Sequence, residues 1–164
     1  MDVEELVRRA QRGDPVALEE LLGELTPYLG RICGAIALDD GDDALQDTML
    51  AIFRHLGTLR EPLAVRGWAR RIAVREARRR AHGGRDVPVD AQDIASVASP
   101  SDPQLGADVR SVLATLSPEH RAVLVLRHVD GLTEQEVADV LDIATGTVKS
   151  RVNRARASFR ERWQ

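Results

Sequence analysis

The chain has 164 residues and a formal net charge of -3, with two Phe, two Trp, one Tyr, four His and one Cys. That length allows one ordinary domain or two small ones, with cores built mainly from aliphatic side chains and Ala. A lone Cys33 excludes an internal disulfide or zinc thiolate cluster, His55, His82, His120 and His128 lack metal-ligand spacing, and no apolar run is long enough to span a bilayer.

No metal or cofactor is therefore expected. The acidic N-terminus does not resemble a signal peptide, and a cytoplasmic location follows as the simple expectation. The opening segment MDVEELVRRAQRG predicts a short amphipathic helix with Val3, Leu6, Val7 and Ala10 on one side. Asp14-Pro15 supplies an N-cap followed by Pro at N1. The next helix carries Leu18, Leu21, Leu22, Leu25, Leu29 and Ile32 near the helical period, with Pro27 as a possible bend. The acids between Leu38 and Asp43 suit the first turn of a third helix running to about Leu56. Pro62 starts a fourth, containing Val65, Trp68, Ala69, Ile72 and Ala73 and ending near Gly83-Gly84.

Periodicity then disappears. GGRDVPVDAQDIASVASPSDP holds three Pro, many Asp and Ser and no sustained apolar pattern, so residues 84–103 are expected to be a flexible linker. Helical order resumes from Leu105 to Leu116. Ser117-Pro118 caps a further helix, with Val123, Leu124 and Leu126 supplying core. After Gly131, Thr133 and Glu136 have the spacing of a capping box. Val137, Ala138, Val140 and Leu141 make that helix apolar on one side, and a short turn leads to a final helix from about Thr145. The expected fold class is all-α: two small helical domains, residues 1–83 and 104–164, with a helix-turn-helix in the second.

Charge is unevenly distributed. From Arg66 to Arg85 there are eight Arg against Glu76, and from Lys149 to Arg162 six basic residues against Glu161. Local density rather than the chain total governs nucleic-acid contact, so an acidic sum is no objection. In the last helix Val148, Val152, Ala155 and Phe159 recur at core spacing. Lys149, Asn153, Arg156 and Arg160 form an adjacent exposed stripe, with Ser150 and Arg154 beside it. Early residues of such a helix can reach base edges in a major groove and later Arg residues can reach phosphates. Gly146 and Thr147 allow close backbone approach at the positive helix end. A charged helix face is usually only solvated. The ordered sequence of capped support helix, short turn and Lys-bearing helix is what favours nucleic acid here.

LSPEHRAVLVLRHVDGLTEQEVADVLDIATGTVKSRVNRAR, from Leu116 to Arg156, resembles region 4 of bacterial sigma-70-family initiation factors. The resemblance implies a -35 promoter reader, with Thr147, Lys149, Ser150, Arg151, Asn153, Arg154 and Arg156 at or beside its DNA-facing positions. DDGDDALQDTMLAIFRHL, from Asp39 to Leu56, resembles the region 2 helix that grips core RNA polymerase, which implies Asp43, Gln46 and Asp47 as the contacts. RGWARRIAVREARRR resembles the helix leading into -10 recognition. It implies Arg66, Arg70, Arg71, Arg75, Arg78 and Arg79 as DNA candidates, with Trp68 packed in the core. Ala69 and Arg70 replace the family's Leu-aromatic pair, Arg75 stands where Asn is common, and Met49 stands where Phe is frequent.

Only regions 2 and 4 fit this length, as in the compact extracytoplasmic-function group. The resemblance implies core RNA polymerase, promoter DNA and an anti-sigma factor as partners, and no catalysis by the chain itself. Two other readings stay open on the residues alone. A free-standing helix-turn-helix regulator would leave the DDALQD helix unused, and a sigma mimic would bind a regulator without initiating. An enzyme fits least, because no nucleophile–base set, phosphate loop or converging carboxylate site occurs.

Overall fold

The computed structural model describes residues 1–83 and 105–163; the linker expected over 84–103 lies outside the described residues. The described part is helical: α1 (Val3–Gln11), α2 (Pro15–Ala37), α3 (Gly41–His55), α4 (Val65–Ala81), α5 (Leu105–Ala114), α6 (Pro118–Leu124), α7 (Glu134–Leu141) and α8 (Thr145–Trp163). Short 3-10 turns at Leu38–Asp40, Leu56–Thr58 and Pro62–Ala64 join the first four helices. No described helix is long and apolar enough to cross a membrane.

α2 is the central strut of the N-terminal bundle, packed by α1, α3 and α4. Asp14 caps it through Val16 N–H and Ala17 N–H at 3.0 and 3.3 Å, and Pro15 occupies N1, where its missing N–H costs nothing. Pro27 lies inside the continuous helix. Leu21, Leu25, Leu29, Ile32 and Ile36 are buried, as are Leu6 and Val7 of α1 and Ala69, Ile72 and Ala73 of α4. Val3 is exposed and Trp68 is half-buried.

α3 approaches α2 closely because both helices place glycine at the crossing. A Cβ on Gly41 would stand 2.9 Å from Gly34 Cα. Thr48 is fully buried there; its hydroxyl donates back to Ala44 O at 2.7 Å and lies 3.7 Å from Cys33 Sγ. Burial pushes the Cys33 thiol up to about 11, so it stays neutral at physiological pH. Ellman's reagent should therefore label Cys33 in the native chain at least about a thousandfold more slowly than in guanidinium, because access requires opening of the bundle. Comparable rates in the two conditions would place Cys33 at the surface.

In the C-terminal half, α6 runs into a π-helical turn, Val125–Val129, whose end is marked by Asp130 N–H donating to Val125 O at 2.9 Å. Gly131 follows with φ +69°, a conformation that side-chain-bearing residues seldom adopt. Ala122, Val123, Val125 and Leu126 form one wall of a core completed by Val137, Ala138 and Leu141 of α7 and Val148, Val152 and Ala155 of α8.

The two halves also touch. α6 packs on α2 and α4, and α7 packs on α4. Arg121, 4% exposed, donates through Nε to Ile36 O at 2.8 Å and so satisfies a carbonyl at the open C-terminal end of α2. Burial pushes the Arg121 guanidinium down to about 10, so it still carries its charge at neutral pH.

Candidate nucleic-acid interface

The helix-turn-helix is assembled by local chemistry. Thr133 Oγ1 accepts from Glu136 N–H at 3.1 Å while Glu136 Oε1 accepts from Thr133 N–H at 3.2 Å, closing the capping box at the start of α7. At the other end Asp142 takes the left-handed conformation, φ 55° and ψ 48°, which short polar residues tolerate. Ile143 N–H then bonds Ala138 O at 3.1 Å. The Thr145 hydroxyl donates to Gln135 Oε1 at 3.1 Å, pinning the start of α8 beside the start of α7.

With Val148, Val152 and Ala155 turned inward, α8 leaves Lys149, Ser150, Asn153, Arg154 and Arg160 exposed. Thr147 and Arg156 are half-buried. Arg156 Nε donates to His128 Nε2 at 3.0 Å, which holds its guanidinium against the π-helical turn. Arg151 stands apart from the stripe: it is 8% exposed, faces inward, and its Nη1 has no hydrogen-bond partner. Phe159 is half-buried and stacks on Trp163, with ring centroids 5.7 Å apart.

The bond from Arg156 requires a neutral imidazole, and burial followed by the charges of Arg156 and Arg127 lowers the His128 pKa from its ordinary value. The unfolded chain then binds more protons just below pH ~6.5, so stability should fall as pH drops through that value. Urea midpoints measured from pH 7.5 to 5.5 should show a decline that is flatter in His128→Asn. An identical slope in the variant would remove His128 from the pH response.

The arginines of α4 are engaged. The Arg66 guanidinium lies over the Tyr28 ring, 3.7 Å from its centroid. Arg70 Nη1 meets Asp130 Oδ2 at 2.9 Å, and Arg71 Nη2 donates to Asp139 O at 2.6 Å. Arg78 Nη2 stands 3.6 Å from Glu119 Oε1. Arg75 pairs with Glu76 at 3.5 Å, and Arg79 reaches Glu76 at 3.2 Å and Asp47 at 3.5 Å. Arg75 is the most open member of these ion pairs, with 64% of its side chain exposed.

On α3 the three polymerase candidates divide. Asp43 and Gln46 are exposed, on a helix that also exposes Leu50 and Phe53. Asp47 is drawn inward, accepting from Arg80 Nε at 2.6 Å and Arg80 Nη2 at 3.1 Å. Those bonds hold its carboxyl below the usual range. The sequence reading did not find Glu119, Asp130 or Tyr28. Glu119 sits in the first turn of α6, where an acid is read as complementing the helix dipole, and Asp130 sits beside a Gly that marks a turn. Among the described residues no cluster of three His, Cys, Asp or Glu could hold a metal.

Comparison with known proteins agrees with this architecture. Residues 17–85 match the family model Sigma-70 region 2, and residues 107–159 match Sigma-70, region 4. The chain is 34% identical over 159 residues to the ECF RNA polymerase sigma factor SigM of Mycobacterium tuberculosis, covering 93% of this chain and 80% of that protein. It is 31% identical over 132 residues to the ECF RNA polymerase sigma factor SigE of Mycolicibacterium smegmatis, covering 74% of this chain and about half, 51%, of that protein. In fold it is similar to the sigma factor RpoE of Bartonella quintana in complex with the anti-sigma factor NepR. That match has 23% identity and a TM-score of 0.65, covering 88% of this chain and 94% of that one. Helical regions 2 and 4 in this order, with these relatives, place the chain in the sigma-70 family, among the extracytoplasmic-function RNA polymerase sigma factors.

Proposed function

We propose that the chain recruits core RNA polymerase to promoters and supports initiation without catalysing a reaction, working in the cytoplasm. The observation that carries this reading is α8. Its apolar face is buried against α6 and α7 while Lys149, Ser150, Asn153 and Arg154 share the outward side. In this reading that side enters the major groove of the -35 element, with Thr147 and Arg156 flanking it and Arg151 buried behind it as support. Arg66, Arg70, Arg71, Arg75, Arg78 and Arg79 serve the -10 region, and Asp43, Gln46 and Asp47 serve core polymerase. Two weak DNA modules gain selectivity when polymerase fixes their spacing.

An anti-sigma factor is the expected inhibitor, masking Asp43–Asp47 and the Lys149–Arg160 face. An apolar groove of about 410 Å³, lined by Leu113, Leu124, Val125 and Phe159 and edged by Arg156 and Arg160, suits an acidic amphipathic helix of such a partner. The test is transcription in vitro with core polymerase and a promoter library, reading RNA 5′ ends. Discrete starts that depend on this protein and share two spaced upstream elements are expected. Core binding without new starts would favour a sigma mimic. Tight duplex binding without core would favour a free-standing regulator.

A further inference from the structure

α1 (Val3–Gln11) carries none of the residues assigned to polymerase or promoter, and it precedes residues 17–85, the stretch that matches region 2. It is nevertheless firmly placed. Leu6 and Val7 are fully buried, Ala10 nearly so, and Arg9 grips Asp14, the cap of α2, at 2.6 and 3.0 Å. At the end of α1, Gln11 reaches across to the connection between α3 and α4. Its Nε2 donates to Leu56 O at 2.9 Å and to Leu59 O at 2.8 Å, so both amide protons go to the same turn. We propose that Gln11 is a positioning residue for promoter engagement: it clips the α3–α4 connection into one shape and so fixes where exposed Arg60 and Leu63, and Arg66 at the start of α4, meet DNA. The proposal rests on the reading of α3 as the polymerase helix and α4 as the -10 helix.

The clip acts on the stretch that joins the two functional helices. Leu56 O also accepts from Leu59 N–H at 3.1 Å, which closes the turn Leu56–Thr58, and the Thr58 hydroxyl donates to His55 O at 2.7 Å. Further along, Ala64 N–H donates to Glu61 O at 2.9 Å, and buried Val65 opens α4. α1 packs on both of these turns. Leu56 and Pro62 are the buried anchors of the connection, whereas Gly57, Thr58, Arg60, Glu61, Leu63 and Ala64 are exposed. A loop with few buried anchors and a solvated tip opens locally at little cost. Water could satisfy the same two carbonyls, so the bonds from Gln11 add modestly to stability. Their larger effect is to select one conformation. An ordered loop loses less conformational entropy when a partner binds, which is the gain from preorganisation. The surface so fixed offers DNA a cationic contact at Arg60 and an apolar one at Leu63.

The test uses the full chain, core polymerase and a promoter drawn from the library assay. Gln11→Met keeps the length of the side chain and removes both donors. In the free variant, amide exchange at Leu59 and Ala64 should quicken about tenfold while α2 amides stay unchanged. Promoter opening at saturating holoenzyme, read by permanganate reactivity of unpaired thymines, should slow about tenfold. Core affinity should stay within about twofold, because Gln11 is remote from the exposed face of α3. A merely structural role would instead lower core affinity and the thermal midpoint together and leave the opening rate at saturation unchanged. Gln11→Lys returns a donor to both carbonyls and should recover exchange and opening; the exchange readout is blind to its added charge. Unchanged exchange in Gln11→Met would overturn the clip, and normal opening despite faster exchange would overturn the positioning role. A Lys variant as defective as the Met variant would overturn the hydrogen-bond basis. If Gln11→Met unfolds, Gln11→Asn, one methylene shorter, should give the same two shifts, and wild-type values there would overturn the proposal. If the wild type binds core but yields no starts, the initiation reading fails and the positioning role with it, while exchange still decides whether the clip exists.

Discussion

Asn153→Ala is expected to lower promoter-directed initiation by about 5- to 150-fold at promoters whose -35 element places adenine under α8, and far less at others. An amide pairing with an adenine edge is worth about 1–3 kcal/mol of discrimination, which sets that range. Asn153 is exposed on the outward side of α8 and one position from buried Val152, so truncation removes reach without touching the core. Arg160, two turns further along and also exposed, should behave differently. Its reach is to phosphate, so Arg160→Ala should weaken all promoters alike and reduce the salt slope of binding by about one. Arg151→Ala supplies the internal contrast. That side chain is buried and its Nη1 has no hydrogen-bond partner, so its loss should move stability rather than promoter choice. Initiation assays over a library randomised at the -35 element, with thermal midpoints beside them, separate the three. A uniform loss in Asn153→Ala would show that α8 contacts backbone there and that base reading lies elsewhere.

Much of the architecture was legible because each local signal agreed with the next. Asp14-Pro15, the leucine series of α2, Pro62, and Thr133 with Glu136 all fall where the helices begin or pack. Burial of Val148, Val152 and Ala155 follows directly from their spacing, and with it the outward turn of Lys149 and Asn153. What periodicity could not supply was the partner of a charged side chain. Arg70, Arg71 and Arg78 look like solvated or DNA-facing residues until Asp130, the Asp139 carbonyl and Glu119 are seen across the domain boundary. Those acceptors are 60, 68 and 41 positions away along the chain in two cases by direct bond and one by ion pair, and a window of one helix cannot connect them. The same limit applies to Asp47. Its place on α3 suggests an exposed acid, whereas Arg80 on α4 draws it in. The π-helical turn has no periodic signature at all and is visible only as the displaced bond from Asp130 N–H to Val125 O.

That difference between Asp43 and Asp47 leads to the second large effect. Asp43→Arg is expected to weaken binding to core polymerase more than about 100-fold, because a like charge set against a basic docking surface costs several kcal/mol. The same change should cost the fold only about 0.3–1 kcal/mol, the loss of a favourable acid in the first turn of α3. Binding would then collapse while the thermal midpoint moves by a few degrees. Asp47→Ala should show the opposite balance. Its carboxylate is 19% exposed and bonded to Arg80, whose side chain is 38% exposed, so the pair is partly screened by solvent and its loss should lower the thermal midpoint slightly. Any loss of polymerase binding in that variant should track a loosened α3–α4 contact. Gln46→Ala, exposed and uncharged, should fall between them in binding and leave stability unchanged. Pull-down of core polymerase and thermal melts on the same samples decide the matter. If Asp43→Arg binds core normally and still initiates, the docking surface is not this face of α3, and the exposed Leu50 and Phe53 beside it need another occupant.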